Sequence, residues 1–280
     1  MKQHRNERPQ NRSERPQHSG GKKQQGRRKA SRKPAVEAVF GIHAVTSLLE
    51  RQPEQVISLH LMKGREDDKL DKIARLASQI GLQQELMERD LLDEMTGGLV
   101  HQGVVAVCKP LKTYSEQWLF DRLAERSSPL LLVLDGVTDP HNLGAVLRTA
   151  DAAGADAVIV PKDKSATLNA TVRKVACGAA EVMPVVSVTN LSRCLDELKQ
   201  HGVWVMGTAG EADQGLYETD LTGPTALVMG AEGKGMRRLT REHCDLLVNL
   251  PMAGEVSSLN VSVASGVCLY EAVRQRSQTA

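Results

Sequence analysis

No apolar run in these 280 residues approaches the roughly 20 that a helix needs to cross a bilayer, which argues against a membrane protein. The first residues also lack the apolar stretch of a secretory signal, so a soluble, cytoplasmic protein is expected. The five cysteines, Cys108, Cys177, Cys194, Cys244 and Cys268, include no CxxC pair and have no histidine nearby at ligand spacing. That pattern offers neither a disulfide framework nor a metal site, and reduced core thiols are expected. Glycine motifs that grip phosphate are missing as well. The late stretch "GAEGKG", Gly230 to Gly235, spells GxxGxG, which is neither GxxxxGKS/T nor the GxGxxG that follows a first strand.

What the chain does have is charge, unevenly spread. Residues 1–35 hold 12 lysines and arginines against 2 acidic residues, a local +10 in a chain whose total is +2, so the remainder carries −8. This segment has no aromatic residue and almost no aliphatic one, so it cannot bury enough surface to fold alone. It reads as a disordered basic tail that attracts nucleic acid by releasing counterions, or else as a solubilising tail.

Residues 36–110 read as a small α/β domain. "GIHAVTSLLE" predicts a helix and "VISLHLMK" a strand. "DDKLDKIARLASQIG" predicts a helix with Leu70, Ile73, Leu76 and Ile80 on one face and Gly81 as its stop. A short strand near residues 84–87, a short helix near 88–94 and the strand "VVAVCK" complete it. The unit shows no catalytic cluster and reads as a binding module. Residues 111–128 read as a linker with a helix that carries Trp118 and Phe120. In residues 129–280 strands and helices alternate, with "NATVRKVACGAA" as one of the helices, and strands such as Leu130 to Leu134 are apolar at consecutive positions. That is the pattern of a parallel sheet covered by helices on both faces.

Ligands of such sheets bind beyond the carboxyl ends of the strands, which singles out the loops "DGVTDPHN", "GAEGKGM" and "PMAGEVSSLN". In the first, Pro140 and Asn142 read as a helix start, with Asn142 able to cap. In the last, Ser257 or Ser258 can cap the final helix, with Asn260 in its first turn. Arg148 falls about 100° from Leu147, at the edge of the apolar face, either snorkelling over the sheet or aimed into a pocket. His43, His101, His141 and His243 read as turn or surface histidines.

Together the three loops resemble the SpoU (TrmH) family of SPOUT RNA ribose 2′-O-methyltransferases. "NLGAVLR", "LVMGAEGKGM" and "LPMAGEVSSLNVSVASG" match its three motifs, and "VFGIHAVTSLLE" and "GGLVHQGVVAVCKP" extend the likeness over roughly residues 38–276. The resemblance implies a SPOUT catalytic domain in residues 129–280, with a C-terminal trefoil knot. It makes residues 36–110 a ribosomal-protein-like domain that binds the RNA substrate. It also implies S-adenosyl-L-methionine as cofactor, a homodimer that completes the site, and no metal. The substrate it implies is a guanosine ribose of 23S rRNA, met free or in an assembly precursor. A tRNA, another rRNA site or a non-catalytic role in ribosome assembly are the alternatives. Residue by residue, Asn142, Arg148, Glu232, Ser258 and Asn260 carry over as catalytic. Thr208, Ala209, Gly210, Gly230, Leu250, Met252 and Leu259 carry over as cofactor-binding, largely through backbone atoms. The family assigns Arg148 an activating role. A guanidinium, a very weak proton donor and so a poor base, fits better as an electrostatic clamp, leaving the base open among Arg148, Glu232 and water.

Overall fold

The computed structural model describes Met1, residues 36–65 and residues 67–279, so the basic tail read from residues 1–35 lies outside the described residues. Both sheets of the protein belong to one compact unit, Ala35–Ala280.

The first sheet contains β1 (Glu37–Phe40), β2 (Val56–Met62), β3 (Gln84–Met87) and β4 (Val104–Cys108), in the order β1-β4-β2-β3. Strand β4 runs antiparallel to both neighbours, while β2 and β3 are parallel. Helices α1 (Ile42–Arg51) and α2 (Asp68–Gln79) bury Val45, Leu48, Leu49, Leu70, Ile73 and Ala77 against one face. Helix α3 (Arg89–Thr96) packs Leu92 against Phe40 and Val105 on the other. Asp67 caps α2 by accepting from the Lys69 N–H at 2.9 Å, which satisfies an amide that has no partner within the helix. The buried stripe of α2 turns to Ala77, while Leu76 is half-buried and Ile80 exposed.

The second sheet has eight strands, every pair of neighbours parallel: β5 (Thr113–Tyr114), β6 (Leu130–Asp135), β7 (Ala157–Pro161), β8 (Val185–Val188), β9 (Trp204–Thr208), β10 (Gln214–Gly215), β11 (Thr225–Gly230) and β12 (Leu246–Asn249). Their order is β10-β12-β9-β11-β6-β7-β8-β5. The consecutive apolar residues of β6 follow from alternation between two cores. Leu130, Leu132 and Leu134 face one core, and Leu131 and Val133 face the other. Helices α5 (Pro140–Ala152), α6 (Ala170–Ala176), α7 (Ala179–Val182) and α10 (Val261–Thr279) cover the first face. Helices α4 (Glu116–Leu123) and α8 (Leu191–Gln200) cover the second, and α9 (Arg238–Glu242) joins β11 to β12.

Three sequence readings change here. Residues 111–128 are more than a connection: β5 adds an edge strand beside β8, and α4 buries Leu119, Phe120 and Leu123 in the second core. A two-residue strand leaves too short an alternation to be read from sequence. The stretch "NATVRKVACGAA" is two helices instead of one, because Cys177 (φ +52°) and Gly178 (φ +96°) turn left-handed between α6 and α7. A Cβ on Gly178 would lie 2.8 Å from the Ser47 Oγ of α1, so glycine also permits the small domain's close approach. Lastly, Cys177 is exposed, whereas Cys108, Cys194 and Cys268 are buried core thiols. Burial pushes the thiols of Cys108, Cys194, Cys244 and Cys268 up to about 12, so these four stay protonated at neutral pH.

Candidate active site

The strand order reverses direction between β6 and β11: from β6 the chain moves outward through β7 and β8, then crosses to β9 on the far side. A crevice is expected at the carboxyl ends of strands at such a switch point. Two cavities open there, on either side of residues 231–236.

The loop between them is set by its glycines. Ala231 and Gly235 exchange two backbone hydrogen bonds, of 3.1 and 2.8 Å, closing a turn in which Gly233 and Gly235 both have positive φ. Gly230 packs so tightly beneath it that a Cβ would come within 2.3 Å of the Gly235 carbonyl carbon and the Met236 nitrogen. The spacing of "GAEGKG" thus serves backbone packing.

This turn projects Glu232 toward two helix starts. Asp139 caps α5 by accepting from the His141 N–H at 3.0 Å, with Pro140 as the first helical residue. Asn142 is therefore in the first turn, and its amide is free to reach outward. Asn260 caps α10: its Oδ1 accepts from the Ser262 N–H at 2.9 Å, and its carbonyl accepts from Ala264 at 2.9 Å. The capping roles read from sequence are thus reassigned, from Asn142 to Asp139 and from Ser257 or Ser258 to Asn260. The side chains then converge. Asn142 Nδ2 donates to Glu232 Oε1 at 3.1 Å, Asn260 Nδ2 donates to the same oxygen at 2.5 Å and to Asn142 Oδ1 at 3.0 Å, and the Val261 N–H adds a bond of 3.3 Å. Residues separated by 90 and 118 positions form one network.

The first cavity, about 540 Å³, lies at the ends of β9, β11 and β12. Thr208, Ala209 and Gly210 form one wall, Gly230 and Glu232 the floor of the turn, and Leu250, Met252, Ser258 and Leu259 the opposite wall. All seven residues expected to bind cofactor therefore line one cavity. Thr208 Oγ1 donates to the Val228 carbonyl at 3.1 Å, fixing β9 against β11 at the rim. Glu211 and Arg241 form an ion pair at its mouth. The Glu211 carboxyl is held below its ordinary value, first by a backbone hydrogen bond and then by Arg241.

Arg148 stands apart. It is exposed, lines neither cavity, and points Nη1 at the Cys177 Sγ, 3.6 Å away. Six helical residues beyond Asn142 place it about 240° further round α5, which separates the two. Among the histidines, His101 is buried, its Nε2 3.1 Å from Asp93 Oδ1 and its Nδ1 accepting from the Gly103 N–H. It holds the turn that enters β4.

The second cavity, about 440 Å³, holds residues that the sequence did not single out. Asp135, fully buried at the end of β6, accepts from the Arg237 N–H at 2.8 Å and from Arg237 Nε at 2.6 Å. A carboxylate ending an apolar strand was a signal for Asp135, but its partner lies 102 residues away. Lys164 and Lys234 line the same space. Among the described residues no group of three or more His, Cys, Asp and Glu could hold a metal ion, and no helix is long and apolar enough to cross a membrane.

A parallel sheet with these three loops gathered at its switch point defines the class, and the chain belongs to the SpoU rRNA methylase family, whose model matches residues 129–270. A model for RNA 2′-O ribose methyltransferase substrate binding matches residues 38–114. The chain is similar to the 23S rRNA (guanosine-2′-O-)-methyltransferase RlmB of Photorhabdus laumondii, with 61% identity over 241 residues, 86% of this chain and 99% of that protein. Its likeness to the enzyme of the same name from Pseudomonas aeruginosa is 64% over 242 residues, 86% and 97% of the two chains. Among solved structures it is similar to the SpoU methyltransferase AviRb from Streptomyces viridochromogenes in complex with the cofactor AdoMet. The TM-score is 0.70 and the identity 28%, over 87% of this chain and 91% of that one.

Proposed function

We propose that this protein methylates the ribose 2′-hydroxyl of a guanosine in 23S rRNA, using S-adenosyl-L-methionine, in the cytoplasm and as a homodimer. The observation that carries the reading is the convergence of residues 208–211, 229–236 and 250–259 on one cavity beside the Asn142–Glu232–Asn260 network. The relatives' names and the AdoMet complex of AviRb support the substrate and cofactor.

The cavity suits a cofactor without phosphate. Its walls are backbone, Thr208, Ser257, Ser258, Glu232 and apolar side chains, with no lysine, and the Glu211–Arg241 pair matches an amino acid's two charges. Thr208, Gly210 and Gly230 would hold the cofactor through backbone groups, with Leu250, Met252 and Leu259 as the apolar cup. When bound, S-adenosylmethionine supplies an already activated methyl group. What remains for the chain is to align the 2′-oxygen and to ease the loss of its proton. Glu232, pinned through Oε1 by three N–H donors, keeps Oε2 uncommitted among the described residues and fixes the seam between the cavities. Ser258, on the opposite wall, faces the same space. Arg148 supplies a cation that clamps the target's phosphate or developing alkoxide.

Because Arg148 lines neither cavity of its own chain, the proposed clamp acts across a homodimer. Exposed Val256 and Leu259 beside the first cavity, and Val263 and Tyr270 on α10, support a second copy's docking there. The proposed trefoil knot is supported by the route of residues 250–260, which line the cavity together with residues 230–236 before α10 packs back on α5. The small domain is assigned to RNA binding, and the tail, 1–35, to added attraction for RNA.

Mapping 2′-O-methylated nucleotides in 23S rRNA with and without the protein tests the reading. One guanosine should gain a methyl group, and Arg148→Ala should lose most transfer while still binding cofactor in calorimetry. Methylation confined to tRNA, or no cofactor binding at millimolar concentration, would overturn it.

A further inference from the structure

The second cavity shares Ala231, Glu232, Gly235 and Val261 with the first, so the two spaces meet at Glu232. If the first holds the methyl donor, the acceptor ribose must approach the seam from the other side. A ribose 2′-oxygen has the 3′-phosphate of its own nucleotide as a near neighbour. Whatever seats the ribose at the seam therefore brings that phosphate into the second cavity.

The cavity is prepared for an anion there. Of its three carboxylates, Asp135 is paired with Arg237, Asp139 accepts from the start of α5, and Glu232 is held through Oε1 alone, which leaves Oε2 for the acceptor. Lys164 and Lys234 form no ion pair among the described residues. Both are presented on constrained backbone. Lys164 has φ +57°, a left-handed conformation rare for a residue with a Cβ, and its turn is tied to the loop after β6. Ala166 N–H donates to the Val137 carbonyl at 2.8 Å, and Ser165 Oγ to the same oxygen at 3.4 Å. Lys234 sits between the two positive-φ glycines of the closed turn. The ties to Val137 and the closed turn fix where each lysine side chain begins. Arg237, anchored through Nε and its backbone N–H to buried Asp135, makes the cavity's floor.

We infer that the second cavity is the seat of the target nucleotide, with Lys164 and Lys234 gripping its 3′-phosphodiester equally before and during transfer, while the network at Glu232 aligns the 2′-oxygen. The inference rests on the methyltransferase reading and adds to it a site for the acceptor strand. Neither lysine falls within the residues that the sequence motifs mark as catalytic or cofactor-binding. Each contributes a compact, strongly hydrated charge suited to a phosphate oxygen.

The test is the Lys164→Ala/Lys234→Ala double variant of the full chain, assayed on unmodified 23S rRNA. KM for RNA should rise about 10-fold or more with kcat within about 2-fold, and the salt slope of RNA binding should fall by about 1, as for one lost phosphate contact. Cofactor affinity and melting temperature should match those of the parent protein. A neutral methylphosphonate placed 3′ to the methylated guanosine should weaken the parent protein and add nothing to the double variant's defect. Unchanged KM and salt slope in a variant that methylates normally would overturn the inference and leave the methyltransferase reading intact. Absence of transfer by the parent protein itself would remove that reading, and the inference with it.

Discussion

Glu232 is the residue on which the site turns, and its three hydrogen bonds all end on one oxygen. A glutamine can place an amide oxygen at the same point and accept from the same donors, whereas alanine releases Asn142, Asn260 and the Val261 N–H together. Glu232→Gln is therefore expected to keep kcat within about 10-fold, and Glu232→Ala to lose about 100-fold, the scale of a small misplacement of reacting groups. Single-turnover methyl transfer measures both. Equal, severe losses in the two variants would instead make the carboxylate's charge the essential property. Arg148 poses the complementary case: its value lies in a permanent charge, held near an exposed thiol in the turn between α6 and α7.

At the scale of elements, the turn after β11 shows how backbone packing shapes a binding wall. Gly230 lies against the backbone of Gly235 and Met236, where no side-chain rearrangement can make room for a Cβ. Gly230→Ala is expected to push the turn outward, destabilise the protein by about 1–3 kcal/mol, and weaken cofactor binding beyond that loss. Chemical denaturation and calorimetry measure the two effects separately. The break between α6 and α7 has a related logic. Gly178 admits α1 of the small domain to the kink, and Cys177 beside it faces Arg148. The element that meets the small domain thus also touches the expected clamp.

Across the whole molecule, Arg173 joins the two sheets. Buried on α6, it pairs with Glu37 of β1 at 3.1 Å and Glu181 of α7 at 2.7 Å, and donates to the Lys109 carbonyl at 3.1 Å. Removing it leaves two carboxylates in a low-dielectric space, so Arg173→Met is expected to cost about 3–5 kcal/mol. Burial already raises the Glu181 carboxyl above its ordinary 4.5, against the lowering pull of Arg173. The folded protein then holds this proton more tightly than the unfolded chain, and the stability it contributes is lost as pH rises through the folded value. Without Arg173 that value climbs further. The melting-temperature deficit of the variant should therefore be larger at about pH 7 than at about pH 5. A deficit independent of pH would assign the loss to packing alone.

Much of this was legible along the chain. The buried run of β6 reports a strand covered on both faces, since alternate residues serve the two cores. Repeated strand and helix patterns report the parallel sheet, and the motif loops hold Gly230, Glu232, Leu250, Met252, Ser258 and Leu259 of the first cavity. Those signals are local, carried by periodicity and by short motifs. The strands β5 and β10 are too short to show a period, and the true caps, Asp139 and Asn260, are decided by where each helix axis begins. The Asn142–Glu232–Asn260 network, the Asp135–Arg237 pair, the Arg173 cluster and the cavity holding Lys164 and Lys234 belong to the tertiary structure alone. Their members lie far apart in sequence, and only the order in which parallel strands pair brings their carboxyl ends, and the loops upon them, to one place.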